Sequence, residues 1–76
     1  MTPEQCRAAR AMLAMSQGDL AGVTGVAKRT IAGFEMGQSF PYSRTIAALR
    51  AALESAGVEF IAENGGGAGV RMRKDT

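Results

Sequence analysis

Arg10 falls among Cys6, Ala9 and Leu13 on the apolar face of one helical pattern, and Glu35 falls beside Ile31 and Phe34 on the apolar face of another. Burying a lone charge is costly, whereas a charge that meets its opposite is tolerated. The placement predicts an Arg10–Glu35 ion pair that locks the first helix to the third. The other arrangement open to these residues has both side chains reaching solvent at the edges of their stripes. Catalytic chemistry is poorly provided for. The 76 residues include no histidine and one cysteine, so the commonest general base, Ser–His and Cys–His pairs, Cys/His zinc spacing and an internal disulfide are all missing. Cys6 reads as a small core residue. No catalytic set, metal or cofactor is expected, and the chain is not read as an enzyme.

Charge placement says more than net charge. A formal +2 permits an anionic partner without demanding one. Between Thr24 and Arg50, however, the cations Lys28, Arg29, Arg44 and Arg50 stand against the single acid Glu35. The glycine-rich run Asn64-Gly65-Gly66-Gly67 lacks the Gly-Lys-Ser/Thr that would make it a phosphate cradle, and reads as a hairpin tip. Arg71, Arg73 and Lys74 read as a solvated strand face. Met12, Met15, Met36 and Met72 read as core filler.

These residues must be positioned by a small domain. At this length a chain buries only about 60% of the surface its unfolded form exposes, so very regular packing or a partner subunit is expected. With 46% apolar and 21% charged residues the composition is that of a globular protein. Thr2-Pro3-Glu4-Gln5 reads as a capping box opening a helix that runs to about Met15. Ser16, with Asp19 three residues on, opens a second helix through Val23. Thr24-Gly25 breaks it, a third helix covers about 27–36, and Gly37 ends it in the left-handed region. After a loop holding Phe40-Pro41, a fourth helix runs from near Ser43 to Gly57, with Ile46, Leu49 and Leu53 at helical spacing. Val58–Ile61 and Val70–Arg73 read as two strands of a hairpin, with Glu59 and Glu63 placed to face Arg71 and Arg73. The fold class is mainly α, four helices and a short C-terminal β-hairpin. Residues 1–57 form the helical part, and 58–76 the hairpin and tail of the same domain.

The stretch from Gln17 to Met36 carries the most specific signal. Two short helices separated by a very short turn must cross closely. Ala21 is small at the crossing, Gly25 allows the turn, and Leu20, Val26, Ile31 and Phe34 form an inward wedge, the pattern of a helix-turn-helix. Through Arg10, Ser16-Gln17, Leu20-Ala21, Gly25-Val26, Thr30-Ile31, Glu35, Gly37, Pro41 and the Ile46/Leu49/Leu53 helix, the sequence resembles the Cro/C1-type, lambda-repressor-like helix-turn-helix family. The resemblance covers about residues 4–56. The hairpin resembles the ending of some compact bacterial members.

That resemblance implies sequence-specific binding of double-stranded DNA by a small transcriptional regulator, with the third helix in the major groove. It implies that Gln17 braces the recognition helix and touches a phosphate, and that base-reading positions fall on Ala27, Lys28, Arg29, Ala32 and Gly33, with Thr30 on the same helix. Lys28 and Arg29 suit the task, since Arg grips guanine O6/N7 with two hydrogen bonds and Lys does so or holds a phosphate. Ala32 and Gly33 offer no polar side chain, so direct readout rests on Lys28 and Arg29, with DNA shape as a further source of selectivity. Phosphate contacts are expected from Gln38, Ser39, Tyr42, Ser43 and Arg44, where a helix N-terminus favours an anion.

A lone hairpin is marginal in water, so it must pack on helix one or four, or on a second subunit. A homodimer built on residues 46–73 is the expectation, with recognition helices about 34 Å apart. The alternative function is that of an antitoxin-like or adaptor protein holding a protein partner through helix four and the hairpin. A helical module without DNA contact is a further alternative, suggested by the bare Ala32-Gly33 face. The N-terminus shows no export signal and no apolar run approaches a membrane span. A cytoplasmic location, on the nucleoid through DNA, is expected.

Overall fold

The computed structural model describes residues 1–74. Four helices, α1 (Pro3–Leu13), α2 (Gln17–Thr24), α3 (Lys28–Glu35) and α4 (Ser43–Ser55), precede strands β1 (Val58–Ile61) and β2 (Gly69–Met72). The last two positions of the 58–76 segment lie outside the described residues.

Local chemistry explains where the elements begin and end. Thr2 caps α1 by accepting from the Gln5 N–H, and the Gln5 side chain accepts from the Thr2 N–H, completing a capping box. Ser16 and Asp19 do the same for α2. Gly25 (φ 76°) ends α2 in the left-handed region that favours glycine, leaving a turn of Gly25, Val26 and Ala27 before α3. Gly37 (φ 72°) turns the chain out of α3 as the sequence predicts.

Some boundaries differ. α1 stops at Leu13 rather than near Met15, because Ala14 takes a left-handed conformation (φ 55°). That conformation costs an L-residue about 1–2 kcal/mol. It is held by the Met15 N–H on the Arg10 carbonyl (2.9 Å) and by the Arg10 guanidinium on the Met15 carbonyl (3.0 Å). α3 is one residue shorter at each end than predicted, with Ala27 and Met36 flanking it.

The core is Cys6 and Ala9 of α1, Leu20 of α2, Ile31 and Phe34 of α3, Leu49 and Leu53 of α4, and Val58 of β1. Burying each of the larger side chains contributes about 1.5–3 kcal/mol. Val26, Ile46 and Phe60 pack partly buried against this cluster. Met12, Met36 and Met72 are not core filler: all three are exposed, and of the four methionines so read Met15 alone packs against the core. Leu13 takes the inward position next to Met12. Met36 caps α3 where the chain swings outward.

β1 and β2 pair antiparallel, Val58 with Met72, Glu59 with Arg71, Phe60 with Val70 and Ile61 with Gly69. β2 therefore begins one residue earlier than predicted. The hairpin packs on α1 and α4 of its own chain. Glu59 does meet Arg71, at 2.7 Å. Glu63 does not reach Arg73. Its carboxylate folds back onto the N–H groups of Gly65 and Gly67 (2.8 and 3.0 Å), while Arg73 donates to the Glu54 carbonyl at 3.1 Å. Two backbone donors within the glycine loop outcompete one distant exposed cation. Among the described residues no helix is long and apolar enough to cross a membrane.

Candidate nucleic-acid interface

One carboxylate organises the helical part. Glu35, at the end of α3 and only 1% exposed, accepts from Arg10 twice, Nη2 to Oε1 at 2.6 Å and Nε to Oε2 at 2.7 Å. Gln17 Nε2 donates to Oε1 at 3.0 Å, and the Cys6 thiol donates to Oε2 at 3.1 Å. Arg7 donates to the Glu35 carbonyl. Residues from α1 and α2 thus converge on the last turn of α3. The bidentate fork fixes direction as well as charge, and no buried side-chain polar atom among the described residues lacks a partner.

The electrostatics follow from this geometry. Burial pushes the Glu35 carboxyl upward, but the hydrogen bonds from Arg10, Gln17 and Cys6 outweigh it and hold it below the usual carboxylate range. The same bonding raises Arg10. Burial, and then the bond to Glu35, push the Cys6 thiol up from 9.0 to about 12. Cys6 is a protonated donor rather than a nucleophile.

The outward residues of α3 and α4 are arranged differently. Lys28 and Arg29 are exposed on the first turn of α3 and form no salt bridge among the described residues. Ala27, the N-cap residue, offers no side-chain acceptor, so the N–H groups of Lys28 and Arg29 are left open, while that of Thr30 donates to the Ala27 carbonyl (3.0 Å). α4 likewise starts without a side-chain cap: Tyr42 precedes it, and Ser43 and Arg44 lie exposed on its first turn. The Arg44 guanidinium sits 5.2 Å from the centre of the Tyr42 ring. Thr30 and Ala32 are half-buried. Gly33 is covered: a Cβ there would lie 2.7 Å from the Ser39 hydroxyl, and its carbonyl accepts from the N–H groups of Gln38 (2.9 Å) and Ser39 (3.3 Å).

The structure therefore brings Arg10, Gln17 and Glu35 together around one charge and sets Ala27, Lys28 and Arg29 on one open helix end. It places Gln38 against α3 through its backbone. Ser43 and Arg44 stand at a second open end and form no hydrogen bond or ion pair with Lys28 or Arg29. Arg50 is engaged elsewhere, with Glu54 at 3.2 Å and over the Phe60 ring at 5.2 Å. The Arg50–Glu54 pair was signalled by its i,i+4 spacing.

Sequence reasoning read Gln5 only as part of a cap and missed its second role. Beyond capping α1, its side-chain amide donates to the carbonyls of Ile61 (3.1 Å) and Gly69 (2.9 Å), tying α1 to the mouth of the hairpin. Beside the hairpin lies an open depression of about 490 Å³ lined by Glu54, Glu59, Phe60, Arg71 and Arg73 among others. Among the described residues no three His, Cys, Asp or Glu side chains stand together as metal ligands would. No protein-family model matches the chain, and no curated protein matches it significantly.

Proposed function

We propose that the chain binds double-stranded DNA through the exposed first turn of α3, with α3 as the recognition helix of a lambda-repressor-like helix-turn-helix. The observation that carries this reading is the state of the helix ends. α1 and α2 begin in complete capping boxes with an acid in the first turn. α3 and α4 begin without any side-chain cap and carry cations in theirs. Cations at a helix N-terminus oppose the helix dipole, an arrangement that becomes favourable once an anion binds the open N–H groups. Between Asp19 and Glu54 the sole acid is Glu35, which is buried against Arg10. That stretch therefore presents no exposed negative charge to a phosphate backbone.

In this reading Lys28 and Arg29 contact base edges and phosphates, and Ser43, Arg44 and the Gln38 loop contact phosphates. Gln17 holds α3 through Glu35 and turns the rest of its amide to the backbone. Gly33 contributes a close loop contact instead of readout. A homodimer on residues 46–73 would use Ala47, Ala48, Ala51 and Ser55, all exposed on α4, and a monomeric mass by light scattering at high micromolar concentration would remove it. The mixed-charge depression beside the hairpin favours one second reading, a protein partner held by α4 and the hairpin, identified by co-purification.

The test is fluorescence anisotropy of a labelled mixed-sequence duplex at several salt concentrations, for the native chain and for Lys28→Ala/Arg29→Ala. Native binding should weaken steeply with salt, with a slope of about 0.9 per phosphate engaged. The double variant, equally helical by circular dichroism, should bind at least about tenfold more weakly. A folded native chain that binds no duplex at low salt would overturn the proposal.

A further inference from the structure

Phe40 and Tyr42, in the loop between α3 and α4, are 75% and 76% exposed, and Met36 just before them is 68% exposed. These are three of the six large apolar side chains that the described surface leaves exposed, gathered within seven positions. None belongs to the buried core. The loop that carries them is nonetheless held. Its start is bonded to the Gly33 carbonyl of α3 by the N–H groups of Gln38 and Ser39, and its end accepts from Thr45 and Ile46 of α4 (2.9 and 3.1 Å). Pro41 fixes φ between the two aromatics and lowers the entropy of ordering them. Two flat rings are thus presented to solvent on an anchored, proline-stiffened loop.

The charge around them identifies the partner. From Met36 to Leu53 the chain carries Arg44 and Arg50 and no acid. Arg44 stacks over the Tyr42 ring at 5.2 Å, and the loop leads directly into the uncapped N-terminus of α4. Exposed rings beside cations and open N–H groups suit a polyanion that also has flat faces. The neighbouring Ala32-Gly33 surface lacks side chains that could read base edges. A protein can still select sequence there through the cost of deforming the duplex.

Resting on the DNA-binding reading above, we propose that Phe40 and Tyr42 form a wedge that stacks on bases of a bent or locally opened duplex step beside α3. Selectivity would then come partly from how readily a step unstacks, as with apolar side chains that kink DNA.

Tyr42 is the chain's one tyrosine and there is no tryptophan, so its emission reports its own environment. The experiment titrates the full chain with two labelled duplexes, one fully paired and one with two unpaired thymines at its centre, following anisotropy and tyrosine emission together. The wedge predicts about tenfold tighter binding to the interrupted duplex, with Tyr42 emission quenched on saturation. Phe40→Ala should keep the emission signal but lose most of the preference. Phe40→Ala/Tyr42→Ala should lose the rest, binding the two duplexes equally, so that the ratio of the two affinities rather than either one alone reports the wedge. Equal affinity for the two duplexes with unchanged emission would overturn the wedge and leave DNA binding standing. Binding to neither duplex would overturn both. Native self-association that the double variant abolishes in sedimentation, without a duplex preference, would assign the rings to a second copy of the chain and overturn the wedge.

Discussion

Helices α1 and α2 begin with Thr2 and Ser16, each locked in a reciprocal capping box with Glu4 or Asp19 in the first turn; α3 and α4 begin with Ala27 and Tyr42, which cap nothing, and follow them with Lys28, Arg29 and Arg44. A missing cap costs about 0.5–2 kcal/mol, and a cation at the wrong end of a helix a further 0.3–1 kcal/mol or so. A chain of this length has a total stability of only about 4–11 kcal/mol, so two such ends are a large concession. The difference separates helix ends capped by their own side chains from ends left uncapped, the contrast on which the proposed DNA binding rests. Glu35 keeps the two halves consistent. It is the one acid between Asp19 and Glu54, and it is turned inward, where Arg10 and Gln17 of the closed half neutralise and hold it.

The largest effect should come from breaking that link. Arg10→Met leaves Glu35 buried with no counter-charge, which costs about 3–5 kcal/mol and should lower the urea midpoint sharply. Urea denaturation followed by circular dichroism measures it. Arg10→Met/Glu35→Leu should recover most of the loss, because two apolar residues of similar volume replace a buried pair at little cost. An unchanged melting curve for the single variant would mean that the closed half does not hold α3 at all.

How much of this was legible depended on range. The capping boxes, the Gly25 and Gly37 turns and the hairpin follow from neighbours within a few residues, and their chemistry is written in Thr2, Gln5, Ser16 and Asp19. The Arg10–Glu35 link was legible despite its distance, because a charge on an apolar face has few affordable fates. The left-handed Ala14 was not, since glycine or asparagine normally signals that conformation and the contacts that impose it come from Arg10. Nor was the second use of Gln5, whose acceptors at Ile61 and Gly69 are set by docking of the hairpin. At the candidate site, the cations on the first turns of α3 and α4 could be read from residue type alone. The covering of Gly33 by Ser39 and the exposure of Phe40 and Tyr42 depend on how the loop lies, and no local pattern encodes that.

The buried cluster should also shape stability against pH at both extremes. Cys6 keeps its proton in the folded chain up to about 12, against 9.0 ordinarily, chiefly through burial. The unfolded chain therefore releases that proton first. The stabilisation is complete below the ordinary thiol range and is lost as pH rises from about 9 toward about 12. Cys6→Ser keeps a donor for Glu35 without that titration, so its urea midpoint should decline less on the alkaline side. Glu35 behaves oppositely. Its depressed folded pKa gives stability that is present above the usual carboxylate range and lost as pH falls through the folded value. If Cys6→Ser and the native chain decline in parallel at high pH, the thiol does not face Glu35 as a buried donor.

The finest division between the two kinds of helix end comes from exchanging their rules. Ala27 already has the backbone of an N-cap residue (φ −61°, ψ 138°), so Ala27→Asp can accept from the first turn of α3 without rearrangement. It should raise stability by about 1 kcal/mol. It should also lower duplex affinity by about tenfold and reduce the salt slope by roughly one phosphate, because the new carboxylate occupies the place of the ligand's charge. Ser16→Ala is the mirror experiment at the closed end: a loss of about 1 kcal/mol with duplex affinity within about twofold of native. Denaturation and anisotropy on the two variants give four numbers whose signs must cross. If Ala27→Asp gains stability and binds DNA as well as the native chain, the open end of α3 is merely uncapped, and the contrast between the two pairs of helices carries no function.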